Sequence, residues 1–339
     1  MQTAKPIILI VGPTAGGKTD LAAELAKRLL GRAPGTLCGE CVCADSMQIY
    51  RGMNIGTAKP TPTQRAEVPH HLLDIVDPSS DGFSVDTWLN LARRAIQEIR
   101  GRGRHPIVVG GTSLYVQSLL EGLFDGPEPD PTLRAQLQMM ESASLRRKLE
   151  TVDPVAARRI HPNDRRRTVR AIEVFDLTGR PISELQQQWL CQSPRRDVRI
   201  IILDYTAEAI NPRINARVKA MIEAGLVEEV RSLLASGGLG RQASTALGYK
   251  QVIAHLAGRC SLDEAVEQIK IHTRRYAKQQ RTWLRRFRMH PDSIRIRADD
   301  ISPQQLVYQS FRAILDEPES ARSSDIGGLA PAGLSPGAS

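Results

Sequence analysis

The chain has 339 residues, enough for two domains at about 100–200 residues each, and its 46 Lys and Arg against 37 Asp and Glu leave a formal net charge of +9. That balance favours a polyanionic partner such as nucleic acid. No apolar run approaches the roughly 20 residues that span a bilayer, which excludes a membrane helix. Met1 to Pro6 leads straight into an apolar segment without a secretory pattern, so a cytoplasmic address is expected.

In chain order, Ile7 to Val11 is a β-branched apolar run that predicts a strand buried on both faces of a parallel sheet. Gly12-Pro13-Thr14-Ala15-Gly16-Gly17-Lys18-Thr19 follows it directly, and Leu21, Leu25 and Leu29 then predict a helix over Thr19 to Leu30. The G-x-x-x-x-G-K-[ST] pattern works because glycines let successive amides converge on phosphate oxygens at a helix N-terminus. The lysine adds charge, and the hydroxyl of Thr19 reaches Mg²⁺. The motif alone leaves open whose phosphates are held. Five cysteines, Cys38, Cys41, Cys43, Cys191 and Cys260, are an odd count in a long chain expected to be cytoplasmic, which argues against a disulfide framework. Cys38-x-x-Cys41 has half the spacing of a zinc site without a second pair nearby, so Cys41 and Cys43 are expected to alternate with Val42 on a strand.

Further strands are predicted at Cys41 to Ala44, Leu72 to Val76, Ile107 to Val109 and Val198 to Asp204, with a helix over Val85 to Arg100. The alternation implies a doubly wound α/β fold with a parallel sheet, ligands lying beyond the carboxyl ends of its strands. Gly126 to Pro131 interrupts it ahead of a helical, Arg-rich stretch. The predicted organisation is a P-loop core over 1–122, an inserted helical subdomain over 123–196, core completion and C-terminal helices over 197–317, and a disordered tail over 318–339. After Asp204 everything reads as helical. Leu262, Val266, Ile269, Thr273, Tyr276, Gln280, Trp283 and Phe287 mark one long amphipathic helix whose opposite face is basic. His272 to Arg286 contains no acidic residue, and such Arg and Lys among aromatics suit RNA phosphates and bases, although a solvated helix face would look the same.

Two more segments fall on the ligand rim. Asp45-Ser46-Met47-Gln48-Ile49-Tyr50 ends the second strand, where Asp45 has three possible jobs: a ligand for Mg²⁺, a proton acceptor, or a cap on the next turn. Gly110-Gly111-Thr112-Ser113-Leu114-Tyr115 offers close backbone approach and a hydroxyl.

Together with Gly56-Thr57-Ala58-Lys59-Pro60, Pro69-His70-His71-Leu72-Leu73-Asp74, Asn163 to Glu173 and Tyr276 to Trp283, these blocks resemble the tRNA dimethylallyltransferase family, over roughly the first 290 residues. The resemblance implies transfer of a dimethylallyl group from dimethylallyl diphosphate to N6 of adenine 37, with the P-loop binding the leaving diphosphate, Lys18, Thr19 and Arg217 assisting there, and Mg²⁺ as cofactor. By the same resemblance Asp45 is the base. Ser46, Met47, Gln48, Thr112, Arg134, Arg166, Arg167, Thr168, Val169 and Arg170 are carried over as tRNA contacts, as is Thr245-Ala246-Leu247-Gly248-Tyr249-Lys250, the partner being the anticodon stem-loop of tRNA and the enzyme a monomer. Ser113 and Gly16 depart from common family residues but remain small, Arg32 to Glu40 lengthens a connection, and the zinc-finger extension of eukaryotic relatives is absent, which fits a bacterial type. The rivals are a P-loop metabolite kinase, an isopentenyltransferase acting on free adenylate, and an RNA-binding nucleotide switch that would leave Asp45 idle.

Overall fold

The computed structural model describes residues 5–29, 38–124, 126–187 and 195–315. Cys191, the tail over 318–339 and most of the lengthened connection before Glu40 lie outside them. The chain divides into two compact units, residues 1–117 with 195–339, and residues 118–194. No helix among the described residues is long and apolar enough to cross a membrane.

The first unit is built on β1 (Ile7–Val11), whose five side chains are all buried and which therefore takes the centre of the sheet. After it come α1 (Lys18–Arg28), β2 (Gly39–Cys43), α2 (Pro62–Glu67), β3 (His70–His71), α3 (Val85–Gly101), β4 (His105–Gly110) and α4 (Ser113–Glu121), within which the division falls. The second unit holds α5 (Pro131–Met139), α6 (Ser142–Val152), α7 (Pro154–Arg159), α8 (Arg165–Thr178) and α9 (Ile182–Leu185). The chain then adds to the first unit β5 (Val198–Asp204), α10 (Ala207–Glu223), α11 (Leu226–Ala235), α12 (Tyr249–Leu256), α13 (Leu262–Phe287), β6 (Ser293–Arg297) and α14 (Pro303–Leu315).

The sheet runs β3-β2-β4-β1-β5-β6 with every pair parallel. From β1 the chain crosses to β2 on one side, and from β4 it crosses over β1 to β5 on the other, so strand order reverses between β1 and β4. A doubly wound sheet binds ligands at such a reversal. Register brings the rim together: Val11 pairs with Gly110, and Cys43 with Val109, so the segments after β1, β2 and β4 leave the sheet side by side. Gly110 is required by this closeness, because a Cβ there would stand 2.1 Å from the Ala44 carbonyl oxygen.

Two expectations need correction. Leu72 to Val76 is not a strand: Leu72 (φ 64°) and Asp74 (φ 55°) adopt left-handed backbone that a strand cannot contain, and only Val76 bridges, to Tyr50. The Asp74 carboxylate is pinned there by Lys59 (2.5 Å) and Arg65 (2.6 Å). The region after Asp204 is also not wholly helical, since Ser293–Arg297 adds the edge strand β6 beside β5. Its Ile-Arg alternation buries Ile296 and leaves Arg295 and Arg297 exposed, the period of two that an edge strand requires. The long helix forms where its pattern places it, capped by Ser261 and Glu264 reciprocally. Its buried side is rotated slightly: Leu284 is buried and Trp283 only partly so, tilted against Phe287 at 6.0 Å.

In the second unit, Leu137, Leu145, Leu149, Ile172 and Val174 form the core, and Asp130, Asp153 and Asp164 cap α5, α7 and α8 with their carboxylates.

Candidate active site

The P-loop turns between β1 and α1. Gly17 has φ 77°, which favours glycine, and Lys18 opens the helix. Ala15 is left-handed as well (φ 60°), an arrangement its neighbours over-determine. Arg213 Nε donates to the Ala15 carbonyl at 3.0 Å, the Tyr205 hydroxyl donates to the Gly16 carbonyl at 3.1 Å, and the Arg213 guanidinium lies over the Tyr205 ring at 5.5 Å. With these carbonyls held from outside, the amides that follow are left for an anion at the N-terminus of α1. On the other side the Gln280 side chain of α13 accepts from Thr14 N at 2.8 Å and donates to the Gly111 carbonyl at 3.0 Å, joining the loops after β1 and β4.

Lys18, Arg217 and Asp45 share this rim. Lys18 Nζ donates to the Pro13 carbonyl at 2.8 Å. Burial, then the nearby Arg217 charge, hold its pKa down to about 8, and Asp45 opposes them. Burial also lowers Arg217, again opposed first by Asp45. One carboxylate therefore faces two cations that burial leaves short of solvation, and a dense anion would relieve both. Asp45 Oδ1 accepts the Met47 amide at 2.9 Å, so the turn-capping role exists in the structure, while Oδ2 accepts no hydrogen bond from the described residues. Ser46 N donates to Thr112 Oγ1 at 2.9 Å, and the Tyr276 hydroxyl donates to the Gly111 carbonyl at 3.2 Å. Burial and, after it, the Asp45 charge raise the Tyr276 phenol, which stays a donor.

A small cleft opens beside Gly12 and Gly111, walled by Val11, Val116, Leu284 and Phe287 with Gln280 at its polar edge. Behind the rim, Trp88 is fully buried, stacks on Tyr115 at 4.4 Å and donates its indole N–H to the Cys43 carbonyl at 2.9 Å. Thr19 and Met47 are half-buried at the rim.

Other residues expected at the site are placed differently. Both Gln48 Nε2 hydrogens are engaged, to the Thr57 and Ala58 carbonyls at 3.0 and 3.2 Å, so its amide nitrogen does not project toward a base. In the second unit, Arg134 and Arg170 converge on the fully buried Glu173 at 2.6 and 2.7 Å, which ties their guanidinium groups to the helix packing. Thr168 and Val169 are buried in the core, whereas Arg166 and Arg167 are exposed. In the block 245–250, Thr245 and Lys250 are exposed and Leu247 half-buried. Ala246, Gly248 and Tyr249 are buried, so the Ala246 and Tyr249 side chains face the core and not solvent. On α13, Arg275, Lys278, Arg285 and Arg286 form the exposed basic face.

Sequence reasoning assigned no task to Arg213, Tyr205, Gln280 or Glu229. Arg213 carried a usable signal, since it precedes Arg217 by one helical turn on α10 and so shares its face. The others act across contacts that no local pattern encodes.

Comparison with known proteins places the chain among relatives over most of its length. The family model for IPP transferase matches residues 48–287. The tRNA dimethylallyltransferase of Geobacter sulfurreducens is 48% identical over 285 residues, covering 83% of this chain and 89% of that protein. Among solved structures, the full-length tRNA isopentenylpyrophosphate transferase of Bacillus halodurans superposes with a TM-score of 0.66 at 36% identity, covering 96% of this chain and 99% of that one. A eukaryotic dimethylallyltransferase captured acting on tRNA gives 0.76 at 28% identity, covering 95% and 79%. The long basic helix lies within the residues that the family model matches, and the phosphate loop and Asp45 lie just ahead of them; by these matches the chain belongs to the IPP transferase family.

Proposed function

We propose that the protein transfers a dimethylallyl group from dimethylallyl diphosphate to N6 of adenine 37 in the anticodon stem-loop of tRNA. The observation that carries this reading is the carboxylate of Asp45, with one oxygen free of hydrogen bonds among the described residues, set against Lys18 and Arg217 at the mouth of the P-loop. The N6 lone pair forms the new C–N bond as the allylic C–O bond breaks, and that electron pair leaves on the diphosphate. The surplus N6 proton passes to Asp45, whose Oδ2 is open to it. The P-loop amides, Lys18 and Arg217 stabilise the charge growing on the leaving oxygen.

Mg²⁺ fits this donor set through Thr19. No cluster of three or more His, Cys, Asp or Glu able to hold a metal occurs among the described residues, so the ion would rest on the Thr19 hydroxyl, diphosphate oxygens and water, the usual habit of Mg²⁺. When bound it neutralises diphosphate charge. The exposed arginines and lysine of α13, with Arg166 and Arg167, supply cations for the RNA backbone.

The test is a transfer assay with radiolabelled dimethylallyl diphosphate, Mg²⁺, and either unmodified tRNA or AMP as acceptor. Label on tRNA, lost when adenine 37 is replaced by guanine, is the expected result. Label on AMP alone overturns the reading.

A further inference from the structure

Loop 54–58 runs between Glu229 and Gln48. Its backbone meets Glu229 on α11: the Asn54 and Ile55 amides donate to Oε2 at 3.0 and 2.8 Å, and the Gly56 amide donates to Oε1 at 3.3 Å. Three successive N–H groups turned on one anion form a nest, the arrangement backbone uses to hold a full negative charge. The Tyr249 hydroxyl donates to the same carboxylate at 2.5 Å from a fully buried ring. Burial, reinforced by the Glu229 charge, raises the phenol pKa, so this hydroxyl remains a donor.

Beyond the nest the chain reverses its polarity. The Thr57 and Ala58 carbonyls face Gln48 Nε2, with Ala58 in left-handed backbone (φ 49°). Gln48 Oε1 accepts from Cys43 Sγ at 3.4 Å, at the end of β2. The turn that carries Asp45 is thus held by Thr112 on the Ser46 amide, by loop 54–58 on the Gln48 side chain, and by the Asp74 amide on the Gln48 carbonyl at 3.4 Å. Behind loop 54–58 stands the Glu229 carboxylate, with Lys59 beside it donating to Asn54 Oδ1 at 3.3 Å.

We infer that Glu229 and Tyr249 are positioning residues for the turn from Asp45 to Gln48, acting through loop 54–58; the inference rests on the prenyl-transfer reading above. Without the carboxylate, three amides lose a common acceptor, the Thr57 and Ala58 carbonyls shift, and Gln48 carries the displacement to Asp45. Catalytic geometry is sensitive to movements of this kind. The same contacts assign Tyr249 a task inside the fold instead of on the RNA.

The experiment compares wild type, Glu229→Gln and Tyr249→Phe in steady-state transfer to unmodified tRNA, with tRNA and inorganic diphosphate affinities measured separately over a range of salt. The expected result is a kcat loss on the order of 10- to 100-fold for Glu229→Gln and a smaller loss for Tyr249→Phe, with both affinities and the salt slope unchanged. Should Glu229→Gln fail to fold, Tyr249→Phe decides alone, since it keeps the buried ring and removes one hydroxyl. Variants with wild-type kcat overturn the inference and leave the function standing. So does a loss confined to tRNA affinity with a flatter salt slope, which would put these residues on the RNA. Wild-type protein that labels no tRNA overturns both.

Discussion

At the amino end of β2 the Glu40 carboxylate, 2% exposed, receives Arg102 and Arg104 at 2.8 Å each and His71 at 2.6 Å. Beyond the carboxyl end of the same strand, the Asp45 carboxylate takes one backbone amide and feels Lys18 and Arg217 without a hydrogen bond to either. Burial works against ionisation of Glu40, yet its Arg102, His71 and Arg104 hydrogen bonds hold its pKa down to about 2. One carboxylate is saturated by its own fold and the other keeps acceptor capacity. Charge committed to structure is fully paired, and charge kept for chemistry is left partly unpaired beside Lys18 and Arg217, which form no ion pair among the described residues.

The comparison breaks first at Asp45. Asp45→Asn should lower kcat by about 10²- to 10⁴-fold, the range for loss of a general base, while calorimetry finds diphosphate affinity retained. Undiminished turnover would return Asp45 to the turn-capping role its Met47 hydrogen bond already shows.

A smaller effect follows from Lys18. Its pKa of about 8 in the free protein must rise when an anion binds, so the protonated form is the binding form. Diphosphate affinity should be full below about 8 and fall by up to about tenfold per pH unit above it. Lys18→Arg, charged throughout, gives the reference that removes the ligand's own titration, and parallel profiles for the two proteins would refute the assignment.

The smallest effect on activity is expected at the other end of the strand. Glu40→Gln should leave kcat unchanged and lower unfolding stability by about 1–2 kcal/mol, discounted because Arg102 and Arg104 are partly exposed. The folded pKa lies below the unfolded value, so the wild-type advantage is present above about 4.5 and lost as pH falls through that value toward 2. Denaturant midpoints for both proteins measured across that range should converge in acid. A constant gap would place the effect in packing.

Local patterns carried much of this protein. The P-loop was legible because eight consecutive residues hold its chemistry, and β1 because Ile7–Val11 has no polar face to offer. The amphipathic helix α13 was legible for a similar reason, its period and its cap both lying within its own sequence. Leu72 to Val76 misled because apolar content does not reveal φ, which the Lys59 and Arg65 contacts on Asp74 impose. The edge strand β6 was passed over because two of its five residues are arginines facing outward.

By itself the sequence determined the order of elements, the phosphate loop and the identity of the rim residues, since each depends on neighbours within a turn or a strand. Only the tertiary structure decided which residues hold that rim in shape. Arg213 reaches Ala15 across 198 positions and Gln280 reaches Thr14 across 266. Pairings of that separation come from strand register and helix packing, and nothing local to either partner records them.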